Sequence, residues 1–262
     1  MRRESAMSQR WAGSAATGVF CRAGCHVARD SGCDPYDSPA DCLAAGLRPC
    51  PECDPMDERI NGFDAGLDGA LARLAVVRAG PVALHAALLP TPLGDLLAIC
   101  DAHAVRLLEF TSRPVLARQV RALERAVKGR IVAGRTTATA QLEIALSRYF
   151  AGDFERGEVA LSPIGTPFQQ RVWQELRSLP AGVTIRYVDL AVRIGRPEAV
   201  RAVAAANGAN PVAILIPCHR IIGSDGSLTG YGGGLWRKRH LLMLESAPAV
   251  SGESLDAGRF SA

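Results

Sequence analysis

Six of the eight cysteines fall within the first 53 residues, and that crowding constrains the fold more than any other feature. The opening Met1-Arg2-Arg3-Glu4-Ser5 is basic but has no apolar stretch behind it, so no secretory signal is expected, whether the chain starts at Met1 or Met7. Clustered cysteines in that setting read as metal ligands rather than disulfides. Cys21-x3-Cys25 is followed 25 residues later by Cys50-x2-Cys53. Two close pairs separated by a loop are the usual layout of a four-thiolate zinc site, each pair bringing two sulfurs to one side of a tetrahedron. Cys33 and Cys42 form a looser alternative set. A segment this short holds little apolar core, so metal would supply much of its folding free energy.

At 262 residues the chain is long enough for one large or two modest domains. Hydrophobic residues make up 48%, yet no stretch of the length a membrane helix needs lacks a charge or a Gly/Pro interruption. No membrane span is expected. Net charge is +4, but between Thr166 and Glu245 ten Arg and Lys stand against five acids. That balance suits a polyanion, although an ordinary solvated surface can carry it too.

After Cys53, Leu67, Leu71, Leu74 and Val77 recur at helical spacing, giving a linker with one amphipathic helix over 57–80. The apolar runs Val82–Leu88, Gly94–Cys100 and Val105–Phe110, split by turn residues, predict three strands in a meander. Cys100 falls in the second and is a core thiol by this reading. Helices are expected over Val115–Val127 and Ala138–Phe150, so the class is α/β (α+β).

The last third carries the chemistry. Thr166 and Pro167 form a helix start, with Phe168, Val172, Trp173 and Leu176 as its apolar face. Two short helices, Tyr187–Ile194 and Pro197–Asn207, joined at Gly195-Arg196, make a helix-turn-helix shape. The second is rich in alanine, which suits close approach to another surface or tight core packing. Pro217-Cys218-His219-Arg220 follows the apolar Ile214-Leu215-Ile216 and precedes a glycine-rich run. A thiol beside an imidazole is either a buried structural cysteine or an activated nucleophile. On a regular strand the two side chains would point to opposite faces, so cooperation requires a bend, which Pro217 favours.

The order and spacing of Gly165-Thr166-Pro167-Phe168-Gln169-Gln170-Arg171-Val172-Trp173, Tyr187, Arg201-Ala202-Val203, Asn210-Pro211, Pro217-Cys218-His219-Arg220 and Gly230-Tyr231-Gly232-Gly233-Gly234 resemble the O6-alkylguanine-DNA alkyltransferases over about Pro81 to Ala247. The resemblance implies a small RNase H-like sheet-and-helix subdomain over 81–162 and an active-site helix-turn-helix domain over 163–247, with a tail over 248–262. It implies single-use, irreversible transfer of an alkyl group from O6-alkylguanine, and from O4-methylthymine, to Cys218, with base flipping. His219 would take the thiol proton through a water, oriented by Glu245. Asn210 would stabilise the active-site turn, and Arg201, with Ala202 beside it, would fill the gap left by the flipped base. Tyr187 would crowd the 3′ phosphate, and Tyr231 would recognise the guanine. Arg201 as a phosphate contact and Tyr187 as a core aromatic are the plainer alternatives. Gly232 stands where some relatives carry a serine; it loses a contact to the substrate oxygen and is expected to widen the pocket.

Thr17–Cys25 and Ala44–Cys53 resemble the Ada-type methylphosphotriester zinc domain, here over 1–56. The resemblance implies Zn2+ on Cys21, Cys25, Cys50 and Cys53, with Cys21 accepting a methyl group from a DNA phosphate. The segment before Gly18 reads as short, the stretch between the pairs as lacking an aromatic strand, and no room remains for an AraC-type DNA-binding segment. The expected partner is double-stranded alkylated DNA, bound by a monomer in the cytoplasm at the nucleoid, without an organic cofactor. The alternatives are a methylation-responsive regulator acting through Cys21 and a lesion-binding protein without chemistry.

Overall fold

The computed structural model describes residues 11–14, 19–22, 34–36, 42, 45–50, 67, 69, 71, 79–154 and 159–246. Among them, the N-terminal part forms a four-stranded sheet of β1 (Trp11–Ser14), β2 (Val19–Arg22), β3 (Asp34–Tyr36) and β4 (Arg48–Pro49), in the order β3-β1-β2-β4. Trp11, Phe20, Cys42 and Leu47 form its small core, and Tyr36 packs against it. Two expectations are corrected here. A strand, β1, lies ahead of Gly18 and pairs on both edges, and the aromatic strand read as missing is β3 with Tyr36. Of the predicted linker helix, Leu67, Gly69 and Leu71 are described, and all are helical.

The second sheet contains β5 (Val82–Leu89), β6 (Leu96–Cys100), β7 (Val105–Phe110) and β8 (Arg130–Ala133), in the order β7-β6-β5-β8. The first three are the predicted antiparallel meander, while β8 adds a parallel strand beside β5 that the sequence reading did not foresee. Central β6 is buried at every position, which fits its unbroken apolar sequence. Helix α1 (Leu116–Val127) covers one face with Leu116, Val120 and Leu123, where Leu71 also packs. Helix α2 (Thr137–Phe150) covers the other face with Ala138, Leu142, Leu146 and Tyr149. Thr136 caps α2 in a reciprocal box with Thr139. Cys100 is fully buried, and desolvation pushes its thiol pKa up to about 11, consistent with a core role.

The C-terminal part is helical: α3 (Pro167–Ser178), α4 (Tyr187–Arg193), α5 (Val200–Gly208) and α6 (Leu235–Ser246), with a two-stranded parallel pair of β9 (Ile185–Arg186) and β10 (Ile221–Ile222). Thr166 caps α3 through Gln169, with Pro167 in the first turn, as expected. The core of this part is continuous with the α2 face of the sheet: one cluster runs from Ala87 and Leu142 to Trp173, Val203 and Leu241. Buried Trp173 also donates its indole N–H to Ala206 O at 2.9 Å, fixing α3 against α5. No helix among the described residues is long and apolar enough to cross a membrane.

Candidate active site

The segment that carries Cys218 hangs on the edge of the sheet. Leu108 N–H donates to Pro211 O at 2.9 Å, and Ala213 N–H donates to Leu108 O at 2.7 Å, so edge strand β7 holds residues 211–213. From there the chain turns rather than extends. Leu215 N–H closes on Ala213 O at 2.8 Å across Ile214, whose φ is +68°. A β-branched residue in the left-handed region is strained, and its near-complete burial holds it there. Cys218 N–H then closes on Ile216 O at 2.8 Å across Pro217, with φ −81° and ψ 64°, the geometry of an inverse γ-turn.

Cys218–Arg220 forms one turn of 3-10 helix. This is the bend the sequence required. At three residues per turn, successive side chains splay by about 120°. Cys218 is thereby partly exposed toward a cavity, while His219 and Arg220 are buried at 0% and 4% exposure against α6.

Asn210 organises the turn. Its Nδ2 donates to Ile216 O at 2.8 Å and to Cys218 Sγ at 3.1 Å, and its Oδ1 accepts from Val212 N–H at 2.9 Å. Burial pushes the Cys218 thiol above its ordinary range, and the Asn210 hydrogen bond and nearby Arg113 and Lys238 only partly offset this. At neutral pH the group is a thiol that needs a base.

Behind it, His219 Nε2 lies 2.8 Å from Glu245 Oε1. Desolvation lowers the His219 pKa despite that hydrogen bond, so the ring is neutral. Since the carboxylate only accepts, Nε2 carries the proton and Nδ1 is the basic nitrogen. Nδ1 is buried and has no hydrogen-bond partner among the described residues. Glu245 accepts further from Tyr149 Oη at 2.7 Å, Arg220 Nη2 at 2.7 Å and Arg220 Nε at 2.8 Å. Burial alone would raise its pKa, but the hydrogen bonds from His219 and Arg220 prevail and hold it well below the carboxylate range. Arg220 also donates to Leu179 O at 2.5 Å. Sequence reasoning placed Arg220 in the cysteine motif and in the basic balance without giving it a role, and did not pick out Tyr149.

The basic balance is likewise corrected in part. Of the ten cations between Thr166 and Glu245, Arg220, Arg237 and Lys238 are buried. Arg237 binds Leu93 O and Gly233 O and lies over the rings of Phe110 and Trp236, and Lys238 Nζ donates to Ile221 O and Thr229 O. Arg201 and Ala202 are exposed on α5, on one face with Ala205 and Gly208, while Val203, Ala206 and Asn207 are buried behind them.

Cys218, Asn210, Tyr231 and Gly232 line one small cavity together with Glu109 and Arg113. Tyr231 meets the His219 ring edge-on, with centroids 6.4 Å apart. Tyr187 is half-buried, and its hydroxyl lies against Gly230, 3.2 Å from where a Cβ would stand. The expected widening at Gly232 is not found: a Cβ there would sit 2.3 Å from the Arg113 guanidinium carbon, so Arg113 fills the space.

In the N-terminal sheet, Cys21 and Cys50 are both buried, at 1% exposure each. The parallel pairing of β2 with β4 puts Phe20 beside Pro49, and Cys50 N–H donates to Phe20 O at 2.9 Å. The first members of the two predicted pairs thus meet at one end of the sheet, which fits a shared thiolate site. Cys25 and Cys53 lie outside the described residues.

Comparison with known proteins adds the following. Residues 167–247 match the family described as 6-O-methylguanine DNA methyltransferase, DNA binding domain. Residues 1–56 match the metal binding domain of Ada. A methylated-DNA–protein-cysteine methyltransferase of Mycobacterium bovis is 55% identical over 104 residues, 40% of this chain and 63% of that protein, so the chain spans less than two thirds of that relative. A crystal structure of Mycobacterium tuberculosis OGT in complex with DNA superimposes with a TM-score of 0.54 at 38% identity, over 62% of this chain and 92% of that one. The Salmonella typhimurium methylated-DNA–protein-cysteine methyltransferase is 44% identical over 161 residues, 59% of this chain and 91% of that protein. With that degree of identity carried through nearly the whole of the Salmonella protein, the chain belongs to the methylated-DNA–protein-cysteine methyltransferase family.

Proposed function

We propose that this chain, acting as a monomer, repairs DNA by moving an alkyl group from O6-alkylguanine, and from O4-methylthymine, onto Cys218. The observation that carries the reading is the Cys218 thiol, fixed by Asn210 at the mouth of a cavity and backed by neutral His219 on Glu245. The thiol proton passes to His219 Nδ1 through a water, because adjacent residues of a 3-10 turn do not face each other. Glu245 stabilises the imidazolium that forms, as an orienting carboxylate does. Sulfur displaces the guanine oxygen: the S–C bond forms, the C–O bond breaks, and the released guanine takes up a proton. The thioether is stable, so each chain reacts once.

The reacting carbon lies inside the base stack of duplex DNA, so the nucleotide has to leave it. The small, exposed face of α5 with Arg201 and Ala202 suits close contact with DNA, Arg201 occupying the gap. Tyr187 would crowd the 3′ phosphate, and Tyr231 would stack near the extruded base. Cys21, Cys25, Cys50 and Cys53 would hold Zn2+, which keeps bound thiols deprotonated. Methyl acceptance by Cys21 belongs to the same proposal.

A duplex oligonucleotide carrying one O6-methylguanine tests the reading. One lesion should be restored to guanine per chain, with no turnover, and Cys218→Ser should restore none. Continued turnover, or repair by the serine variant, would overturn it.

A further inference from the structure

We propose that Arg113 is the residue that sets the size of the alkyl group accepted at Cys218, by occupying the base pocket until substrate displaces it. The inference rests on the reading of Cys218 as the alkyl acceptor. The cavity at Cys218 measures about 10 Å3, roughly the space of one water, whereas a ligand pocket of ordinary size runs to about 300 Å3 or more. Something lining it has to retreat before a purine enters.

Most of the lining is fixed. Asn210 is held by hydrogen bonds to the turn it organises, and Gly232 is backbone alone. Arg113 is different: a long side chain, 11% exposed, whose guanidinium lies across Gly232 within van der Waals overlap of any Cβ placed there. Among the described residues its side-chain hydrogen bonds are all at its tip. Nη2 donates to Gly208 O at 2.7 Å, Nη1 donates to Asn210 O at 3.3 Å, and Nη1 pairs with buried Glu109. The two carbonyls lie at the end of α5 and in the Cys218 turn, so the arginine ties the sheet to the helix that the proposed function lays against DNA.

This arrangement makes a latch. Glu109, 1% exposed, holds the cation in the pocket, and a DNA backbone brought onto α5 offers phosphates that compete for it. When the arginine leaves, the space over Gly232 opens beside Cys218. A small alkyl group fits with partial retreat, and a large one requires the pocket to be cleared. Gly232 contributes by leaving room for the guanidinium, which is why its lack of a side chain does not itself widen the site.

The test compares single-turnover transfer from duplexes carrying O6-methylguanine and O6-benzylguanine, with thermal melting to establish folding. The ratio of benzyl to methyl rates cancels any shared loss of DNA affinity. R113A should raise that ratio by about tenfold or more, the scale of pocket-size discrimination. E109Q, which loosens the latch but keeps the arginine, should move it the same way by less, and it serves if R113A does not fold. An unchanged ratio in a folded variant would overturn the proposal.

A second readout needs no DNA. Labelling of the Cys218 peptide by benzyl methanethiosulfonate relative to methyl methanethiosulfonate should rise in the same variants. If the wild-type chain transfers nothing from DNA, the proposed function fails, and the labelling ratio still decides whether Arg113 limits access to the thiol.

Discussion

Arg220 grips Glu245 with two parallel hydrogen bonds, Nε to Oε2 at 2.8 Å and Nη2 to Oε1 at 2.7 Å, and shares Oε1 with His219 Nε2. Glu245 sits in the last turn of α6, where the helix dipole disfavours an anion. Arg220 supplies the opposing charge in a buried setting, so Glu245 stays ionised and can orient His219.

Breaking this pair on either side should be costly. Glu245→Gln leaves Arg220 buried without its counter-ion, and Arg220→Met leaves Glu245 so. Each should cost about 3–5 kcal/mol in chemical denaturation. In what remains folded, Glu245→Gln should slow transfer to Cys218 by more than Tyr149→Phe, which removes only a neutral donor. Equal effects would contradict the orienting role of the charge.

Asn210→Ala should act on both structure and reactivity. It removes the donor that lowers the thiol pKa and the clamp on the strained turn at Ile214. Thiol titration of Cys218 by a small alkylating reagent should shift to higher pH, and transfer at neutral pH should fall. A variant with an unshifted titration would show that the hydrogen bond to sulfur has no part in tuning it.

The pKa shifts predict a one-sided pH dependence. With the thiol pKa raised and His219 lowered, transfer should increase from neutral toward alkaline pH. For stability, an unfolded histidine takes up its proton near pH 6.5 or about there, and buried His219 does not. The unfolded state therefore binds more protons below that pH, and stability falls as pH drops. Glu245 acts in the same direction: its contribution is present above the ordinary carboxylate pKa and is lost as pH falls through its depressed folded value. Urea midpoints measured across the acid range should decline, and His219→Gln should flatten the upper part of that decline.

Metal removal should separate the two ends of the chain. Stripping zinc with a chelator should make residues 1–56 sensitive to protease and change the environment of buried Trp11, while transfer to Cys218 continues. Retained protection of the N-terminal sheet after complete metal loss would contradict a thiolate-bound zinc as its source of stability.

Much of this was legible in the sequence because local signals were strong. The alternating and apolar runs from Val82 to Phe110 gave the meander, and Thr166-Pro167 gave the start of α3. What stayed hidden depended on tertiary contacts. Strand β8 is four residues long, too short to carry a period, and forms by pairing with β5. The apolar Ile214–Ile216 becomes a series of turns because Leu108 holds the backbone of Pro211 and Ala213 just before it and Asn210 claims Ile216 O. Arg220, Arg237 and Lys238 look like surface cations in composition, yet carbonyls and Glu245 draw them inside. Glu109 lies in strand β7 and Arg113 in the turn after it, so their spacing carries no helical pairing signal, and nothing in the sequence says that the pair lines the cavity at a cysteine 105 residues after the arginine.

The most direct measurement is peptide mapping by mass spectrometry after the zinc-loaded protein meets duplex DNA carrying O6-methylguanine and methylphosphotriesters, with Cys218→Ser and Cys21→Ala alongside. The account predicts one methyl group on the Cys218 peptide, absent from the serine variant and retained in Cys21→Ala. A second methyl on the Cys21 peptide would add phosphotriester repair. DNA binding with no methyl on Cys218 would contradict the central claim.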